Sequence, residues 1–588
     1  MKSFIDVYKN AENKISGIGA APGIVIGEVY LFTKETLKIS KGNITNIEEA
    51  KRNLNEALER SKKELTKIFM IAKEKMGPTR AGIFEAQLMI LDDPVLIKNI
   101  IKRIEEEKKQ PEYIVHDEIS KYQDMMVLSQ ESYMKERAHD IEDIKNRIVR
   151  NLRKKQWQSK IQKDVVIVSD SLTPADTLLL SRNKVKSFIT DHGGLTSHAA
   201  IISRSLNIPA VVGTHDASHK LKNGQKVIVD GFHGYVLFEP TKDQINFFEE
   251  KHEHLVRLQK ELEGLVDQPA ITKDGKKIEL FANVDVTGEI DIVKTSGANG
   301  IGLYRSESLL NELGTIPSEE EQTEAYSRLA ARVYPDSITI RAFDIGGDKF
   351  NLFDYDEPNP FLGLRGIRLL LENPRLFKEQ IRAVLRASKN KNVKFLLPMI
   401  STIDEIHQTK KMLSDCMAEL SNEKIEFDSE LEIGIMIEVP SAAVMAKEFA
   451  SEVNFLSIGT NDLVQYLMAV DRGNDLVSKL YQEFSPVVLR TIKKIVDDAK
   501  RAGKPVSLCG EMAAETLAMP LLVGLGLESL SISPATIPYA KKIITSFKYK
   551  DAKKMAKNCV ENCYEEEIVN NLKKFFEKNK IVRTRNII

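Results

Sequence analysis

The chain has 588 residues, too many for one core, and domains of about 100–200 residues predict three or four of them when a barrel counts as one. Its 85 basic and 85 acidic side chains cancel, so no net charge draws it to nucleic acid or to an anionic membrane surface. Hydrophobic residues make up 42% of the chain and charged residues 29%, which is typical of a soluble globular protein.

The sequence also lacks the marks of a secreted or membrane protein. Its first residues contain no apolar signal-peptide core, and no run of about 18 apolar residues predicts a transmembrane helix. Four cysteines, at 416, 509, 559 and 563, have the spacing of neither a disulfide framework nor a zinc site. We therefore expect a cytoplasmic protein without membrane insertion and without a nucleic-acid partner.

The first part of the chain predicts an α/β domain that a helical segment interrupts. Gly-rich turns and short apolar runs in 15–32 predict strands. Further on, apolar residues recur at helical spacing and predict a bundle of about four helices. Strand-like runs return at 164–170, 186–191, 210–213, 226–231 and 235–238. We expect 1–45 and 156–240 to form one domain and 46–155 to form the helical insert.

One segment of this insert, residues 79–94 (TRAGIFEAQLMILDDP), carries more apolar side chains than its neighbours. Burial in the core of the bundle is the favoured interpretation. A face that docks a partner is the alternative.

A periodic, charge-laced segment at 241–266 predicts a long helix within a linker that spans 241–269. From 270 to 588, short apolar runs alternate with helical segments. The eight predicted strands are 277–284, 300–305, 338–344, 395–400, 432–439, 455–460, 505–511 and 529–534. Eight such repeats over about 310 residues predict a closed parallel (β/α)₈ barrel, or TIM barrel. A doubly wound open sheet is the alternative.

The carboxyl ends of barrel strands carry active residues, and here those ends are polar. They hold Arg305, Arg341 with Asp344, Glu438, Asn461 with Asp462, and, in the loop after the sixth strand, Arg472. Arginine forks bind phosphate or carboxylate oxygens bidentately. A single arginine is better explained by a surface ion pair, but several on one rim predict a site for a small phosphorylated anion.

Three further side chains on this rim suggest chemistry. Glu438 and Asp462 supply hard oxygen ligands, and Mg²⁺ prefers few protein carboxylates together with substrate phosphate. Cys509 ends the seventh strand. A buried structural cysteine is the ordinary interpretation, whereas its position favours a proton donor or nucleophile that faces the rim.

A separate signal lies in the first α/β domain, where DHGGLTSHAAIISR places His198 at the start of a predicted short helix. Thr196 or Ser197 can cap this helix, and its N-terminal N–H groups favour a negative group. The helix dipole lowers the pKa of a nearby imidazole and keeps it neutral and nucleophilic. A structural histidine is the default for a lone His, but these neighbours favour a phosphorylated one, which Arg204 could reach.

These motifs together resemble one family. GGLTSHAAIISR, GIGLYRSE, IRAFDIGGDK, NPFLGLRGIR, IGIMIEVPSA, SIGTNDLVQYLMAVDRGN and LCGEMA are similar to segments of enzyme I of the bacterial sugar phosphotransferase system. The resemblance covers essentially the whole chain in the same domain order. It implies transfer of the phosphoryl group of phosphoenolpyruvate to a histidine of the enzyme and then to the carrier protein HPr, with release of pyruvate.

The resemblance also implies a role for each matching residue. His198 would be phosphorylated through Nε2, and Cys509 would protonate the enolate. Phosphoenolpyruvate would be bound by Arg305, Arg341, Asn461, Asp462 and Arg472, with Arg365 nearby. Glu438 and Asp462 would hold Mg²⁺.

The remaining implications concern partners. The helical insert would dock HPr, the barrel would form a homodimer, and Thr177 would hydrogen-bond His198 before phosphorylation. Leu195 stands where many relatives carry Arg, as in the dikinases, which affects the expected acceptor preference and not the chemistry.

Two alternatives to this function stay open from the sequence. Pyruvate phosphate dikinase and phosphoenolpyruvate synthase share the motifs, but they need an ATP-binding domain for which the chain before His198 is too short and too helical. The second alternative is a regulatory binder without activity. Filled catalytic positions count against it, and formation of an acid-labile phosphate with phosphoenolpyruvate and Mg²⁺ would separate the two.

Overall fold

The structure is a computed structural model, and it describes residues 8, 11–33, 39–76, 78–127, 132–154, 164–181, 185–194, 197–285, 290–313, 315–346, 357, 359–474 and 476–581. For some of these residues, His198 among them, the description covers the backbone alone. Two compact units divide the chain, with the boundary between Leu255 and Val256. Among the described helices, none is long and apolar enough to cross a membrane.

The first unit contains an eight-stranded mixed sheet. Its strands are β1 (Lys14–Ser16), β2 (Ile18–Ala21), β3 (Ile24–Leu31), β4 (Val165–Ser169), β5 (Ser187–Thr190), β6 (Ala210–Val212), β7 (Lys226–Asp230) and β8 (Tyr235–Phe238). They lie in the order β1-β8-β7-β3-β4-β5-β6-β2. Strands β3 to β6 are parallel, whereas β7, β8, β1 and β2 join by antiparallel pairing. The predicted interruption by a helical insert falls between β3 and β4.

Five helices fill this interruption in the described part of the chain. They are α1 (Ile47–Met76), α2 (Pro78–Leu91), α3 (Pro94–Glu107), α4 (Pro111–Val127) and α5 (Ser132–Leu152). Phe84 and Leu91 of α2 are buried in the core of the bundle, as the favoured interpretation of 79–94 expects. Met89, in the same segment, is 68% exposed, so one apolar side chain of the segment faces solvent.

Four further helices complete this part of the chain. They are α6 (Pro174–Ser181), α7 (His198–Ser205), α8 (Ala217–Lys220) and α9 (Lys242–Glu263). Helix α9 is the long helix predicted from 241–266, and the boundary between the two units falls inside it.

The second unit is a closed barrel of eight parallel strands, which confirms the predicted TIM barrel. The strands are β9 (Glu279–Val284), β10 (Gly300–Arg305), β11 (Ser337–Arg341), β12 (Val393–Leu397), β13 (Glu432–Ile437), β14 (Phe455–Ile458), β15 (Val506–Leu508) and β16 (Ser529–Ile532). Strand β16 pairs with β9 in parallel and closes the ring. An open doubly wound sheet is therefore excluded for this unit.

The helices that surround the barrel follow the strands along the chain. They are α10 (Ile290–Ser296), α11 (Ser308–Leu313), α12 (Glu319–Val333), α13 (Ile367–Glu372), α14 (Pro374–Ala387), α15 (Ile403–Asn422), α16 (Pro440–Val444), α17 (Ala446–Glu452), α18 (Thr460–Met468), α19 (Pro486–Arg501), α20 (Ala518–Leu525), α21 (Ile537–Ile544), α22 (Tyr549–Glu561) and α23 (Glu565–Asn579). At α12, Ser318 and Glu321 form a capping box that satisfies backbone N–H groups of the first turn.

Side chains fill the barrel interior, as in other barrels of this size. A cluster of Leu303, Leu396, Met436, Phe455 and Cys509 is buried inside the ring of strands. Gly434 on β13 makes room for this filling, because a Cβ there would lie 2.3 Å from an atom of the Phe455 ring. The four cysteines are free, as the sequence predicts.

Candidate active site

A cavity of about 520 Å³ opens at the carboxyl ends of the barrel strands. The predicted barrel residues Arg305, Arg341, Glu438, Asn461, Asp462, Arg472 and Cys509 all line it. They come from the ends of β10, β11, β13, β14 and β15 or from the loops that follow, so parallel pairing brings together residues that lie far apart in sequence. Residues that the sequence predicts on one rim thus lie around one cavity in the structure.

Arg341 is the deepest cation of this set and is 4% exposed. Its guanidinium pairs with Glu307 through Nη2 and lies 3.3 Å from Oδ2 of Asp344 through Nη1. Burial alone would lower the pKa of Arg341, but the negative charges of Glu307 and Asp344 outweigh this effect. The net pKa is raised, so the guanidinium stays charged. Its Nε is buried without a hydrogen-bond partner among the described residues.

Arg365 lies behind the cavity and not on its lining. It is 1% exposed, and it donates to both oxygens of Asp344 at 2.8 and 2.9 Å. It also donates to both oxygens of Asp462, at 2.9 and 3.3 Å. The resemblance placed Arg365 near the substrate, but here its guanidinium is engaged by two carboxylates. Its structural effect is to fix the position of Asp462.

Glu438 follows β13 and is 1% exposed. Its Oε1 accepts a hydrogen bond from the backbone N–H of Met399 at 2.7 Å. Burial and the negative charges of Asp462 and Asp344 raise the pKa of the Glu438 carboxyl to about 7. The pair Glu438 and Asp462 therefore concentrates negative charge on one wall of the cavity.

This charged wall fits a divalent cation. The repulsion that raises the pKa of Glu438 is the interaction that a bound cation relieves. In the described part of the chain, no group of three or more His, Cys, Asp or Glu side chains has the arrangement of a metal site. Two carboxylates alone suit an ion that completes its shell with water and substrate oxygens, as Mg²⁺ does.

The outer arginines are held by acidic partners at the mouth of the cavity. Arg305 donates to both oxygens of Asp285, at 2.7 and 2.9 Å, and Arg472 lies 3.5 Å from Glu511. Asn461 and Glu511 bond reciprocally, through Nδ2 to Oε1 at 3.0 Å and through the Glu511 N–H to Oδ1 at 2.8 Å. Sequence reasoning missed Asp285. Its position directly after β9 was the signal that would have found it.

Cys509 lies immediately after β15 and is 2% exposed. Its sulfur accepts a hydrogen bond from the Ser457 hydroxyl at 3.3 Å, and its thiol donates to the carbonyl of Ile458 at 3.7 Å. Burial raises the pKa of the Cys509 thiol, so the group is protonated at neutral pH. A buried, protonated thiol on the wall of a polar cavity can give a proton to a bound molecule.

The predicted helix at His198 is present in the first unit. It runs from His198 to Ser205, and Ser197 is its N-cap, with Oγ accepting from the N–H of Ala200 at 3.4 Å. Gly193, in the preceding loop, has φ of +116°, and a Cβ there would lie 3.0 Å from Oγ of Ser197. A glycine is therefore needed for the loop to approach the cap this closely.

Two neighbours of this helix were also singled out in the sequence. The Oγ1 of Thr177 donates to the carbonyl of Thr173, the residue just before α6, so its hydroxyl hydrogen already has a partner one turn back. Arg204 donates through Nε to the carbonyl of Ala200, one turn back along α7. The side chain of His198 and the whole of Leu195 and Thr196 lie outside the described residues.

Comparison with known proteins assigns the class. Three family models match the chain: the N-terminal domain of PEP-utilising enzymes over residues 16–137, their mobile domain over 161–234 and their PEP-binding domain over 259–549. The barrel and its charged cavity thus belong to a PEP-utilising enzyme, where PEP is phosphoenolpyruvate.

Individual relatives narrow the class. The phosphoenolpyruvate-protein phosphotransferase of Bacillus subtilis (strain 168) is 40% identical over 568 residues, covering 96% of this chain and 100% of that protein. The one of Staphylococcus carnosus (strain TM300) is 39% identical over 560 residues, covering 95% and 98%. This chain belongs to the phosphoenolpyruvate-protein phosphotransferase family. Among solved structures, the NMR solution structure of an Enzyme I protein (nEIt) is 38% identical, with a TM-score of 0.37, and covers 41% of this chain and 99% of its own.

Proposed function

We propose that this chain transfers the phosphoryl group of phosphoenolpyruvate to its own His198 and then to a histidine of HPr. Pyruvate is released, and the transfer is the first step of sugar uptake by the phosphotransferase system. One observation carries the proposal: three arginines, two buried carboxylates and a buried thiol line a single cavity in a barrel of the family. These groups match the three chemical parts of phosphoenolpyruvate, its phosphate, its carboxylate and its enol carbon.

The arginines bind and orient the substrate. Arg305, Arg341 and Arg472 contact its phosphate and carboxylate oxygens, and Asn461 adds an amide donor. Arg341 is best suited to the most buried anionic oxygen, because it is 4% exposed and lies deeper than Arg305 and Arg472. Arg305 and Arg472 are more exposed. When substrate binds, its oxygens replace the water molecules and carboxylates that these two arginines otherwise contact.

The carboxylates hold a divalent metal, for which we propose Mg²⁺. Glu438 and Asp462 are its protein ligands, and Arg365 keeps Asp462 in place. When bound, the ion neutralises phosphate and enolate charge. The raised pKa of Glu438 means that binding of the cation displaces a proton near neutral pH.

Cys509 acts as the general acid after the phosphoryl group has left phosphoenolpyruvate and the enolate remains. The bond from the sulfur to its proton breaks as the bond from that proton to the enolate carbon forms, and pyruvate results. The raised pKa of the thiol keeps the proton available at neutral pH.

His198 acts as the nucleophile toward phosphorus. It begins α7, and the N–H groups of the first turn favour the negative charge that the phosphoryl group brings. We propose that residues 1–45 and 156–240 form the phosphohistidine domain, which moves between the barrel and HPr by way of the linker 241–269.

The partners follow the same division. We propose that HPr docks on the helical domain 46–155, where Met70, Met89 and Val95 are each more than half exposed on α1, α2 and α3. The barrel, 270–588, binds phosphoenolpyruvate and forms the homodimer, and the segments that follow its strands expose Leu362, Val444 and Leu476. We propose the cytoplasm as the compartment, where HPr and phosphoenolpyruvate are available.

The test is a coupled transfer assay. The protein is incubated with phosphoenolpyruvate and Mg²⁺, with and without purified HPr, and pyruvate and phosphorylated HPr are measured together. We expect one pyruvate for each phosphoryl group that reaches HPr. Hydrolysis of phosphoenolpyruvate without phosphorylated HPr, or a requirement for ATP, would contradict the proposal.

A further inference from the structure

A short chain of hydroxyl groups lies beside Cys509 inside the barrel. Ser457 on β14 is opposite Ser507 on β15 in the strand register. The Ser507 hydroxyl donates to Oγ of Ser457 at 3.2 Å, and the Ser457 hydroxyl donates to Sγ of Cys509 at 3.3 Å. The thiol in turn donates to the carbonyl of Ile458. Each group thus donates to the next, and the sulfur receives a hydrogen bond while it keeps its proton.

The surroundings make this arrangement unusual for packing alone. Ser457 is 1% exposed, and the neighbouring interior side chains Leu303, Met436 and Phe455 are apolar. A hydroxyl in such a place costs stability unless it is hydrogen-bonded, and alanine would fill most of the same volume. The barrel nevertheless keeps a hydroxyl that points its donor at the sulfur.

We propose that Ser457 is a positioning residue for Cys509: oriented by Ser507, its hydroxyl aims the thiol and donates the hydrogen bond that stabilises the thiolate left after proton transfer. This inference rests on the proposed role of Cys509 as the proton donor. In that step the S–H bond breaks, the C–H bond of pyruvate forms and the sulfur is left negative. A hydrogen bond to an ionised acceptor is about twice as strong as one between neutral groups, so Ser457 favours the product side of the transfer.

Other charged groups act on the same sulfur from neighbouring strands. Burial raises the pKa of the thiol most and the Ser457 hydroxyl lowers it, while Glu438 from β13 raises it and Arg341 from β11 and Arg305 from β10 lower it. The arginines are shared with substrate in the proposed complex. Ser457 differs from them because its contact with the sulfur does not depend on substrate.

The experiment compares Ser457→Ala with two other variants. Ser296→Ala is the matched control, because Ser296 is also buried in the second unit, at 6% exposure, and donates to the carbonyl of Val293 in α10 at 2.7 Å, not to any atom of Cys509. Ser457→Thr keeps a hydroxyl. We expect Ser457→Ala to slow pyruvate formation about tenfold, with an unchanged KM for phosphoenolpyruvate and unchanged phosphorylation of His198. We expect Ser457→Thr to recover most of this loss and Ser296→Ala to cause none.

A spectroscopic measurement separates positioning from general disruption. The ultraviolet absorbance of the Cys509 thiolate, taken as the difference from Cys509→Ala in each background, should titrate at higher pH in Ser457→Ala than in wild type. Adding Ser457→Ala to Cys509→Ala should slow pyruvate formation no further. Normal pyruvate formation and an unchanged titration in Ser457→Ala would overturn the inference while leaving Cys509 in its role.

The outcome for Cys509→Ala distinguishes the two proposals. If that variant forms pyruvate normally, the proton donor itself is wrong, and the role of Ser457 falls with it. If Ser457→Ala fails to fold, the variants Ser507→Ala and Ser457→Thr test the role of Ser457 instead. Loss of the orienting hydroxyl in Ser507→Ala should shift the titration in the same direction by a smaller amount, and no shift would contradict the inference.

Discussion

Arg365 and Arg472 both follow barrel strands, but their surroundings differ. Arg365 is fully buried between Asp344 and Asp462, whereas the side chain of Arg472 is 38% exposed and lies 3.5 Å from Glu511. Removing one partner of a buried ion pair leaves an uncompensated charge and costs about 3–5 kcal/mol. A contact from an exposed arginine affects the bound anion more than the fold.

The first prediction compares these two arginines. We expect Arg365→Leu to lower the free energy of unfolding by about 3–5 kcal/mol. We expect Arg472→Ala to raise the KM for phosphoenolpyruvate, corresponding to a loss of about 1.5–3 kcal/mol in binding free energy. We expect little change in its free energy of unfolding. Denaturant unfolding and steady-state kinetics on the same preparations measure both effects. Equal losses of stability in the two variants would contradict the assignment.

The second prediction concerns the pH dependence that Glu438 causes. A carboxyl whose pKa is raised from 4.5 to about 7 binds more protons folded than unfolded, so the wild-type protein loses stability as the pH rises through this interval. Glu438→Gln keeps an acceptor for the N–H of Met399 and cannot ionise. We expect the melting temperature of the metal-free variant to exceed that of wild type increasingly as the pH rises toward 7, and then to keep a constant lead.

Magnesium provides the control for this prediction. A ligand that binds only the folded state raises its stability by mass action. At pH values above the raised pKa of Glu438, we expect Mg²⁺ to raise the melting temperature of the wild-type protein. We expect the melting temperature of Glu438→Gln to stay unchanged. Parallel pH profiles of the two proteins, or equal stabilisation by Mg²⁺, would remove Glu438 from the metal site.

The third prediction separates the two halves of the reaction at Cys509. In the proposed mechanism, attack by His198 depends on the arginines and the metal site, which Cys509→Ala leaves in place. General acid catalysis contributes roughly 10²–10⁴-fold, so we expect pyruvate formation to fall within that range while phosphoenolpyruvate still binds. Pyruvate formation and melting temperature are measured on one preparation. Normal turnover in a destabilised variant would show that Cys509 is structural.

At the scale of elements, the short helix α7 combines a stability role with a charge role. Ser197 caps it, and the same N-terminus is the proposed neighbour of a phosphoryl group. Asp is as good an N-cap as Ser, but it adds a negative charge where phosphate would lie. Substitutions at this single position can therefore distinguish the two roles.

The fourth prediction uses this difference. We expect Ser197→Ala to destabilise the first unit by about 1 kcal/mol through loss of the cap. We expect Ser197→Asp to keep wild-type stability and to slow phosphorylation of His198, because two negative groups then share one helix end. Thermal unfolding and the rate of labelling measure the two effects. Phosphorylation of Ser197→Asp at the wild-type rate would show that α7 does not bind the phosphoryl group.

The elements themselves were predictable from the sequence to a large degree. All eight barrel strands lie within their predicted segments or overlap them, because each is a short apolar run bounded by turns. The helical insert between β3 and β4 was visible as a change from strand-like runs to helical periodicity. The strand ends were also visible, because charged residues follow apolar runs at Arg305, Arg341 and Glu438.

The pairings within the site were not predictable in the same way. Arg365 and Asp462 are 97 residues apart, and only the closed barrel brings their strands to one end. The sequence could not show that Arg365 would be enclosed while Arg472 would face the cavity. The role of Ser457 was not predictable either, because a single serine in an apolar strand does not indicate which side chain of a neighbouring strand it will contact.

At the scale of the whole molecule, the two units carry different parts of the proposed reaction. The barrel holds the groups proposed for substrate binding and proton transfer, and the sheet of the first unit holds α7, which begins at His198. The boundary between the units falls inside α9. In the proposed reaction, the phosphoryl group therefore passes from a substrate bound in one unit to a residue of the other.

The fifth prediction tests this transfer directly and with it the central claim. The intact protein is incubated with phosphate-labelled phosphoenolpyruvate and Mg²⁺, digested under alkaline conditions that preserve phosphohistidine, and mapped by mass spectrometry. We expect acid-labile phosphate on the peptide that contains His198, none in His198→Ala, and rapid loss of the label when HPr is added. Labelling of His198→Ala at the wild-type level, or label on a different residue of the wild type, would contradict the account.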